Sequence, residues 1–272
     1  MLKIQTGTMD KIENFFWGSI YASLFSKPLF FYTSFRHLLK YLCGIDLKPK
    51  EMKLILKGHS FYFKEFTGEI GMFNQIFVKH IYGCQQGFHN VENNHGIIMD
   101  VGANIGMFTI DIAHANPNCI IYSFEPNPDV FSRLTKNVNL NKLENVKCYN
   151  IGFSDKVSDG YLDDSISTVL GRVSVDVSSA DKKKVVLSTL DSFILQNEIV
   201  NIDLLKIDVE GFEYLVLRGL KDHLCRVDKI VMECDEALKA DVVSHLNAYN
   251  FELVRALPKY SVLYFRRTEH RH

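Results

Sequence analysis

The sequence predicts an α/β protein with a Rossmann-like sheet flanked by helices, and three segments support this fold class. An apolar run that begins at Ile97 and ends in the acid Asp100 leads into a glycine-containing turn and then an apolar segment without helix breakers, which indicates a strand, a tight turn and a helix. A second apolar strand follows at residues 119–124, and another at residues 203–207 ends in an acidic turn. Strands that alternate with helical segments favour a largely parallel sheet.

The composition favours one substantial domain with an appendage, because the chain has 272 residues. Its 31 basic and 32 acidic residues leave a formal net charge of −1, so nucleic acid is not an expected partner. The 6 cysteines lack C-x-x-C spacing, which argues against zinc and fits a reducing compartment. Without a secretion signal or an uninterrupted bilayer-spanning run, the sequence predicts a cytoplasmic protein.

The N-terminal part, residues 1–82, is predicted to be a helical and β-hairpin extension. Apolar side chains recur at helical spacing over residues 10–41 and the pattern breaks at Pro28, which predicts two helices. These helices carry too many aromatic side chains for a freely solvated segment, so another surface is expected to bury them. Packing on protein is favoured, as a cap or in a homo-oligomer, and peripheral membrane contact is the alternative. Residues 52–63 alternate around Gly58 and predict the hairpin, and residues 71–82 predict a short helix.

The turn after the first core strand has the features of a ligand site. Gly102 and Gly106 allow backbone conformations that a side chain would block, and the following helix directs unpaired N–H groups at the turn. A dinucleotide site has G-x-G-x-x-G, and Asn104 occupies the place of its second glycine, so a pyrophosphate would be crowded. Glu125 ends the next strand and can accept hydrogen bonds from ribose hydroxyls. The pattern therefore predicts a ligand with a ribose but no diphosphate, and disfavours a nicotinamide-dependent oxidoreductase.

Asp100, Gly102, Asn104 and Gly106 form an Asp-x-Gly-x-Asn-x-Gly motif which, with Glu125, resembles the S-adenosyl-L-methionine (SAM) site of class I methyltransferases. Residues 188–192 (STLDS) and 203–213 (DLLKIDVEGFE) resemble signatures of the FkbM family of O-methyltransferases. The resemblance covers about residues 82–265, in a domain predicted at 83–268 with a tail at 269–272. It implies a seven-stranded mixed sheet with helices on both faces, whose last strand is antiparallel between its neighbours.

The resemblance also implies SAM as cofactor and a hydroxyl of a sugar, glycan precursor or natural product as methyl acceptor. Pro126 and Asn127 form the turn after Glu125. Ser154 or Asp155 is expected to accept a hydrogen bond from the adenine amine, with a simple strand-ending turn as the alternative for Asp155. The predicted cofactor-binding set is Asp100, Gly102, Asn104, Gly106, Glu125, Pro126, Asn127, Ser154 and Asp155.

Three further features surround the predicted cofactor. In the resembled family, the short helix before the sheet lies across the cleft, which would bring Glu69 and Asn74 to the methionine end. Residues 157–184 are predicted to form a hairpin or flap that faces the substrate. Ser188, with Asp191 three residues later, has the pattern of a capping box for the next helix.

The chemistry is expected at the turn after residues 203–207, because ligands of open α/β sheets gather at the carboxyl ends of the strands. Asp208 is the first candidate for a base or hydroxyl anchor, and Glu210 is the second. Lys206 is predicted to steady a developing alkoxide, since strand alternation places it on the same side as Asp208.

Glu233 and Glu213 form the predicted substrate-facing set. Glu233 ends the neighbouring strand and is expected beside Asp208, where the pair could instead hold a divalent metal, although no metal is predicted. Glu213 lies in the first turn of a helix, where an acid also acts as a cap. Two alternatives to a small-molecule methyltransferase remain: a catalytically silent scaffold with the same fold, and RNA methylation, which the charge balance disfavours.

Overall fold

The computed structural model describes residues 47–56, 58–65, 69–83, 88–91, 95–162, 173–174 and 183–268. An antiparallel hairpin comes first, with β1 (Glu51–Leu56) and β2 (His59–Lys64) paired so that Leu54 faces Phe61. Helix α1 (Glu69–Phe73) continues as a π-helix, Asn74–Val78. The predicted hairpin and short helix are confirmed, although this helix ends at Val78.

The main domain alternates strands and helices as predicted. Its elements are β3 (Ile97–Val101), α2 (Met107–Ala115), β4 (Ile120–Phe124), α3 (Pro128–Leu140), β5 (Val146–Tyr149), β6 (Gly152–Phe153), β7 (Ser158–Leu162), β8 (Val173–Ser174), β9 (Lys183–Ser188), α4 (Leu190–Gln196), β10 (Leu204–Ile207), α5 (Glu213–Arg218), β11 (Lys229–Glu233), α6 (Lys239–Asn247), β12 (Phe251–Leu257) and β13 (Val262–Arg267). Short 3₁₀ turns lie at Leu224–Arg226 and Pro258–Tyr260.

Seven strands form the central sheet in the order β12-β13-β11-β10-β3-β4-β5. Strand β13 runs antiparallel to both β11 and β12, while the pairs from β11 to β5 are parallel. This is the seven-stranded mixed sheet that the family resemblance implies, with the last strand between its neighbours. The parallel strands place their carboxyl ends at one edge, where ligands of open α/β sheets bind.

Alternate strand residues face two different cores. Ile98, Leu204 and Val231 pack with the hairpin and helix α2, whereas Met99 and Leu205 pack on the opposite face with helices α4, α5 and α6. Helices therefore cover both faces of the sheet. Because successive side chains of a strand point to opposite faces of the sheet, every second residue of β3, β10 and β11 points toward the hairpin side.

The hairpin belongs to the same core as the sheet. Two asparagines at the C-terminal end of α3 connect it to strand β2. The Asn137 side-chain amide forms hydrogen bonds with both the N–H and the C=O of Tyr62, and the Asn141 amide does the same with Ser60. These side chains satisfy the free strand edge as a further strand would. The helices predicted over residues 10–41 and the tail 269–272 lie outside the described residues.

The described residues of the predicted flap lie in a second, smaller sheet. Strands β7 and β9 pair antiparallel, and β6 joins β9 in parallel, giving the order β6-β9-β7-β8. Residues 163–172 and 175–182 lie outside the described part of the chain. Within the described ranges, no helix is long and apolar enough to cross a membrane.

The predicted capping box places the N-cap of α4 at Ser188, one residue too early. Thr189 is the N-cap of α4, and its hydroxyl accepts a hydrogen bond from Ser192 N at 3.1 Å. The carboxylate of Asp191 instead accepts hydrogen bonds from the backbone N–H groups of Asp222 and His223. Ser188 remains in the extended strand β9, which explains the shift.

Candidate active site

The glycine turn holds three residues in the left-handed region. Gly102, Asn104 and Gly106 have φ angles of 80°, 52° and 88°, and Gly106 is the N-cap of α2. A Cβ on Gly102 would lie 1.8 Å from the backbone oxygen of Asp208. The absent side chain therefore lets the turn after β3 touch the turn after β10, which joins the predicted cofactor turn to the predicted catalytic turn.

The contact at Gly102 gives a first testable prediction. We expect Gly102→Ala to lower the free energy of unfolding by about 2–4 kcal/mol, because a left-handed backbone and a steric clash both oppose the methyl group. Gly58→Ala is the matched control, since Gly58 has a φ of 85° and a Cβ added there would meet nothing within 4 Å. Urea denaturation measures both, and equal losses in the two variants would contradict the close approach.

Glu125 is held at the tip of β4 by two backbone donors. Its Oε2 accepts a hydrogen bond from Asn104 N at 3.0 Å, and its Oε1 accepts one from Asn127 N at 2.9 Å. Burial raises the pKa of Glu125 to about 7, although these hydrogen bonds oppose the shift. Each carboxylate oxygen keeps further acceptor capacity, so the group is fixed in orientation and still able to bind hydroxyls.

The neighbours of Glu125 support the turn. The Asn127 side chain caps α3 by accepting a hydrogen bond from Asp129 N at 3.0 Å, so only its backbone serves Glu125. Pro126 packs against Gly152, where a Cβ would lie 3.2 Å from the proline Cβ. These contacts set the position of the carboxylate, and any contact of these two residues with a cofactor stays a prediction.

Ser154 and Asp155 contact other elements. Ser154 is buried, its N–H donates to Ser188 O at 2.9 Å, and its carbonyl lies against Gly219. The Asp155 carboxylate is 3.4 Å from an Arg218 nitrogen. The chain leaves the central sheet after β5, and β6 pairs with β9 in the smaller sheet, which places both residues near α4 and α5. Their predicted contacts with adenine stay a prediction.

A row of polar side chains crosses the buried face of the sheet. Strand register aligns Ser123 with Asp100 and Asp100 with Lys206, so the three lie side by side on β4, β3 and β10. The Thr109 hydroxyl donates to Asp100 Oδ2 at 2.6 Å and lies 2.9 Å from the Ser123 hydroxyl. Lys206 Nζ lies 3.0 Å from Asp100 Oδ1 and donates to Gly102 O at 2.8 Å. The row links the cofactor turn to the strand that carries Asp208.

This row shows how two predicted site residues are held. Asp100 is fully buried and supports the turn from behind, and its predicted contact with the cofactor stays a prediction. The Lys206 ammonium contacts Asp100, Gly102 O and Asp208, and its predicted action on a substrate oxygen stays a prediction. Burial opposes its charge, but the two carboxylates more than offset this effect, and the pKa of Lys206 is raised.

Asp208 is the centre of a second cluster. The Tyr82 hydroxyl donates to its Oδ2 at 2.7 Å, and Lys206 Nζ lies 3.5 Å from the same oxygen. Because Ile207 pairs with Met232, the next residues on the two strands, Asp208 and Glu233, stand side by side. The sequence predicts this adjacency, and the two carboxyl groups are also within hydrogen-bonding reach.

Glu233 is the second carboxyl group of this cluster. Burial, followed by the negative charges of Asp208 and Glu210, raises the pKa of Glu233 to about 9. Glu233 is therefore protonated at neutral pH and can donate a hydrogen bond to Asp208. Like charges in contact resist simultaneous ionisation, and one shared proton removes that conflict.

Glu213 and Glu69 are directed elsewhere. The Glu213 carboxylate accepts hydrogen bonds from Gly211 N at 2.9 Å and Val209 N at 3.3 Å, and the residue is buried. It caps the turn, and its predicted contact with substrate stays a prediction. The Glu69 carboxylate accepts hydrogen bonds from Arg133 at 2.8 Å and from Lys64 N at 2.7 Å, and its predicted reach to the methionine end also stays a prediction. The Asn74 side chain lies outside the described part of the structure.

Two further results complete the site. Glu210 adopts a left-handed φ of 51° in the turn that follows Asp208, and its charge acts on Glu233. Within the described ranges, no group of three or more His, Cys, Asp or Glu side chains could hold a metal ion. Tyr82 is the residue that sequence reasoning missed, because it precedes every recognisable motif and only the fold brings it to Asp208.

The strand order, the glycine turn and the acid at the tip of β4 define a class I methyltransferase fold. A family model described as the methyltransferase FkbM domain matches residues 100–253. The chain belongs to this family of methyltransferases. The family assignment gives no support to a nicotinamide-dependent oxidoreductase.

Several named proteins resemble the chain. "Methyltransferase 1" of Beauveria bassiana is 32% identical over 165 residues, which cover 51% of this chain and 64% of that protein. Hexuronic acid methyltransferase AglP of Haloferax volcanii is 30% identical over 137 residues, covering 50% of this chain and 55% of that protein. The chain thus spans less than two thirds of these relatives. The solved structure of methyltransferase FkbM from Methylobacillus flagellatus has a TM-score of 0.47 at 12% identity, covering 64% of this chain and 44% of that one.

Proposed function

We propose that the chain is a SAM-dependent O-methyltransferase that acts on a hydroxyl of a sugar, glycan precursor or natural product. The observation that carries this proposal is the contact between the Gly102 turn and the Asp208 turn, which joins a nucleoside-binding turn to an acidic cluster. The hexuronic acid named for the AglP relative and the compound FK506 named for a Streptomyces tacrolimicus relative, 27% identical over 203 residues, support an oxygen-rich acceptor.

The donor set of the turn fits SAM. Three left-handed residues open the turn at 102–106, and the Glu125 carboxylate is held with acceptor capacity to spare. A ribose diol offers two hydroxyl donors, which match two carboxylate oxygens. Bound SAM supplies a methyl carbon on a positively charged sulfur.

The residues around Asp208 accept the proton, bind the acceptor hydroxyl and support the two turns. Asp208 accepts the proton of the acceptor hydroxyl, because it is a half-buried carboxylate at the carboxyl edge of the sheet. Glu233, in its protonated form, supports the charge of Asp208 and can bind an acceptor hydroxyl. Glu210 remains the second candidate base. Lys206 and Asp100 hold the two turns together from the buried side.

Ligand binding tests the cofactor, and radiolabel transfer tests the reaction. Calorimetric titration with SAM, S-adenosylhomocysteine, NAD and NADP should show binding of the first two only. SAM labelled in its methyl group, incubated with a panel of neutral sugars, uronic acids and polyhydroxylated macrolides, should label at least one hydroxyl. Binding of NAD without SAM would refute the proposal, and so would methylation confined to nitrogen or carbon.

Glu125 provides the second testable prediction. We expect Glu125→Gln to weaken SAM binding roughly 10- to 100-fold, because charge-assisted hydrogen bonds to the ribose become neutral ones. In the parent protein the group is ionised above its pKa of about 7, so affinity should fall as the pH falls through that value.

The variant should lose most of this pH dependence, since glutamine does not titrate. Glu144→Gln, which changes an exposed acid near β5, is the matched control. Calorimetry between about pH 6 and pH 8 compares the three proteins, a range centred on the shifted carboxyl. An unchanged affinity in Glu125→Gln would remove this residue from the site.

A further inference from the structure

Tyr82 comes from the segment before the residues that the family model matches, yet it enters the cluster around Asp208. Its hydroxyl donates to Asp208 Oδ2 at 2.7 Å, and the residue is buried. The hydrogen bond spans 126 residues of sequence. The extension therefore contributes directly to the site, in addition to its packing on the sheet.

The position of Tyr82 is fixed from several sides. Its ring meets Phe108 of α2 edge to face, with centroids 5.7 Å apart, and lies 5.3 Å from Lys206 Nζ. The preceding carbonyl, that of Ile81, accepts a hydrogen bond from the Tyr264 hydroxyl of β13. Because ring and backbone are both held, the hydroxyl approaches Asp208 from one direction only.

Tyr82 keeps its proton at neutral pH. Burial, and then the negative charges of Asp208, Glu233 and Asp100, raise the pKa of Tyr82 well above its ordinary value. The hydroxyl is therefore a permanent donor and is not a base. Tyr82 and Lys206 both approach Oδ2, so neither contact uses Oδ1 of Asp208.

We propose that Tyr82 is a positioning residue for Asp208, holding Oδ2 so that the other carboxylate oxygen faces the reactive centre of the bound cofactor. Without the hydroxyl, the Lys206 ammonium 3.5 Å from Oδ2 still attracts the carboxylate, which is then free to turn toward it. This inference rests on the proposed use of SAM and adds a residue from outside the matched family domain.

The test compares two cofactor analogues and needs no identified acceptor. Sinefungin carries an amine-bearing carbon in place of the methylated sulfur, so its cation should lie near Asp208, whereas S-adenosylhomocysteine has no charge there. The measured quantity is the ratio of their dissociation constants by calorimetry. We expect Tyr82→Phe to reduce the preference for sinefungin about fivefold, which corresponds to one hydrogen bond. A merely structural role would weaken both ligands equally.

A double-mutant cycle makes the test specific. In an Asp208→Asn background, Tyr82→Phe should no longer change the ratio, because the two residues act as a unit. Tyr122→Phe is the matched control, since Tyr122 is a buried tyrosine on the opposite face of the sheet. An unchanged ratio in Tyr82→Phe, or an equal effect in the Asp208→Asn background, would overturn the inference while leaving SAM use intact. Failure of either analogue to bind the parent protein would instead refute the proposed function.

Discussion

Asp208→Asn is expected to reduce methyl transfer about 10²- to 10⁴-fold while SAM binding remains within a factor of about two, a loss typical of removing a general base. The amide has the same shape as the carboxylate and can still accept the Tyr82 hydrogen bond, but it cannot take a proton at neutral pH. Transfer is measured with methyl-labelled SAM and the hydroxyl that the acceptor panel identifies, and binding is measured by calorimetry.

A control variant at a neighbouring acid distinguishes the loss of the base from the loss of one negative charge. Asp235 follows β11 at the same edge of the sheet and is exposed, so Asp235→Asn should leave transfer unchanged. Retained turnover in Asp208→Asn would exclude Asp208 as the base. Glu210→Gln would then be the next variant to measure, because Glu210 lies in the same turn.

The order of the elements could be predicted because local sequence specifies it. Gly102 and Gly106 mark a strand, turn and helix without help from the rest of the chain, and both adopt the left-handed φ that this interpretation requires. The small sheet was harder to foresee, because the pairing of β6 with β9 depends on residues more than thirty positions apart. Hydrophobic periodicity predicts which residues of a strand face the core, but it does not predict with which other strand that strand pairs.

The site was predictable where strand order decided it. Parallel pairing brings the carboxyl ends of β10 and β11 together, so the adjacency of Asp208 and Glu233 follows from the fold class. Burial was not predictable in this way. The motif places Asp100 among the predicted cofactor-binding residues, but it does not reveal that the carboxylate is buried and paired with Lys206 on the next strand. Tyr82 has no sequence signal, since its role arises only when the extension packs on the sheet.

Lys206→Met is expected to lower the free energy of unfolding by about 3–5 kcal/mol, the range for breaking a buried ion pair by removing one partner. Lys206 is 2% exposed and Asp100 is wholly buried, so the variant leaves the Asp100 carboxylate without its cation. In the described part of the chain, the Thr109 hydroxyl then remains as its side-chain donor. Urea denaturation gives the free energy, and the thermal midpoint should fall by roughly 6–20 °C.

Two variants identify the buried charge as the cause. Lys184→Met breaks an exposed pair with Asp159, and it should leave the denaturation midpoint nearly unchanged because water screens such pairs. Adding Asp100→Asn to Lys206→Met removes the unpaired carboxylate, so the double variant should be more stable than Lys206→Met alone. If the second substitution instead deepened the loss, packing of the lysine stem would be the dominant contribution. The Lys206–Asp100 ion pair would then be a consequence of the fold, and it would not be needed to join the Gly102 turn to the Asp208 turn.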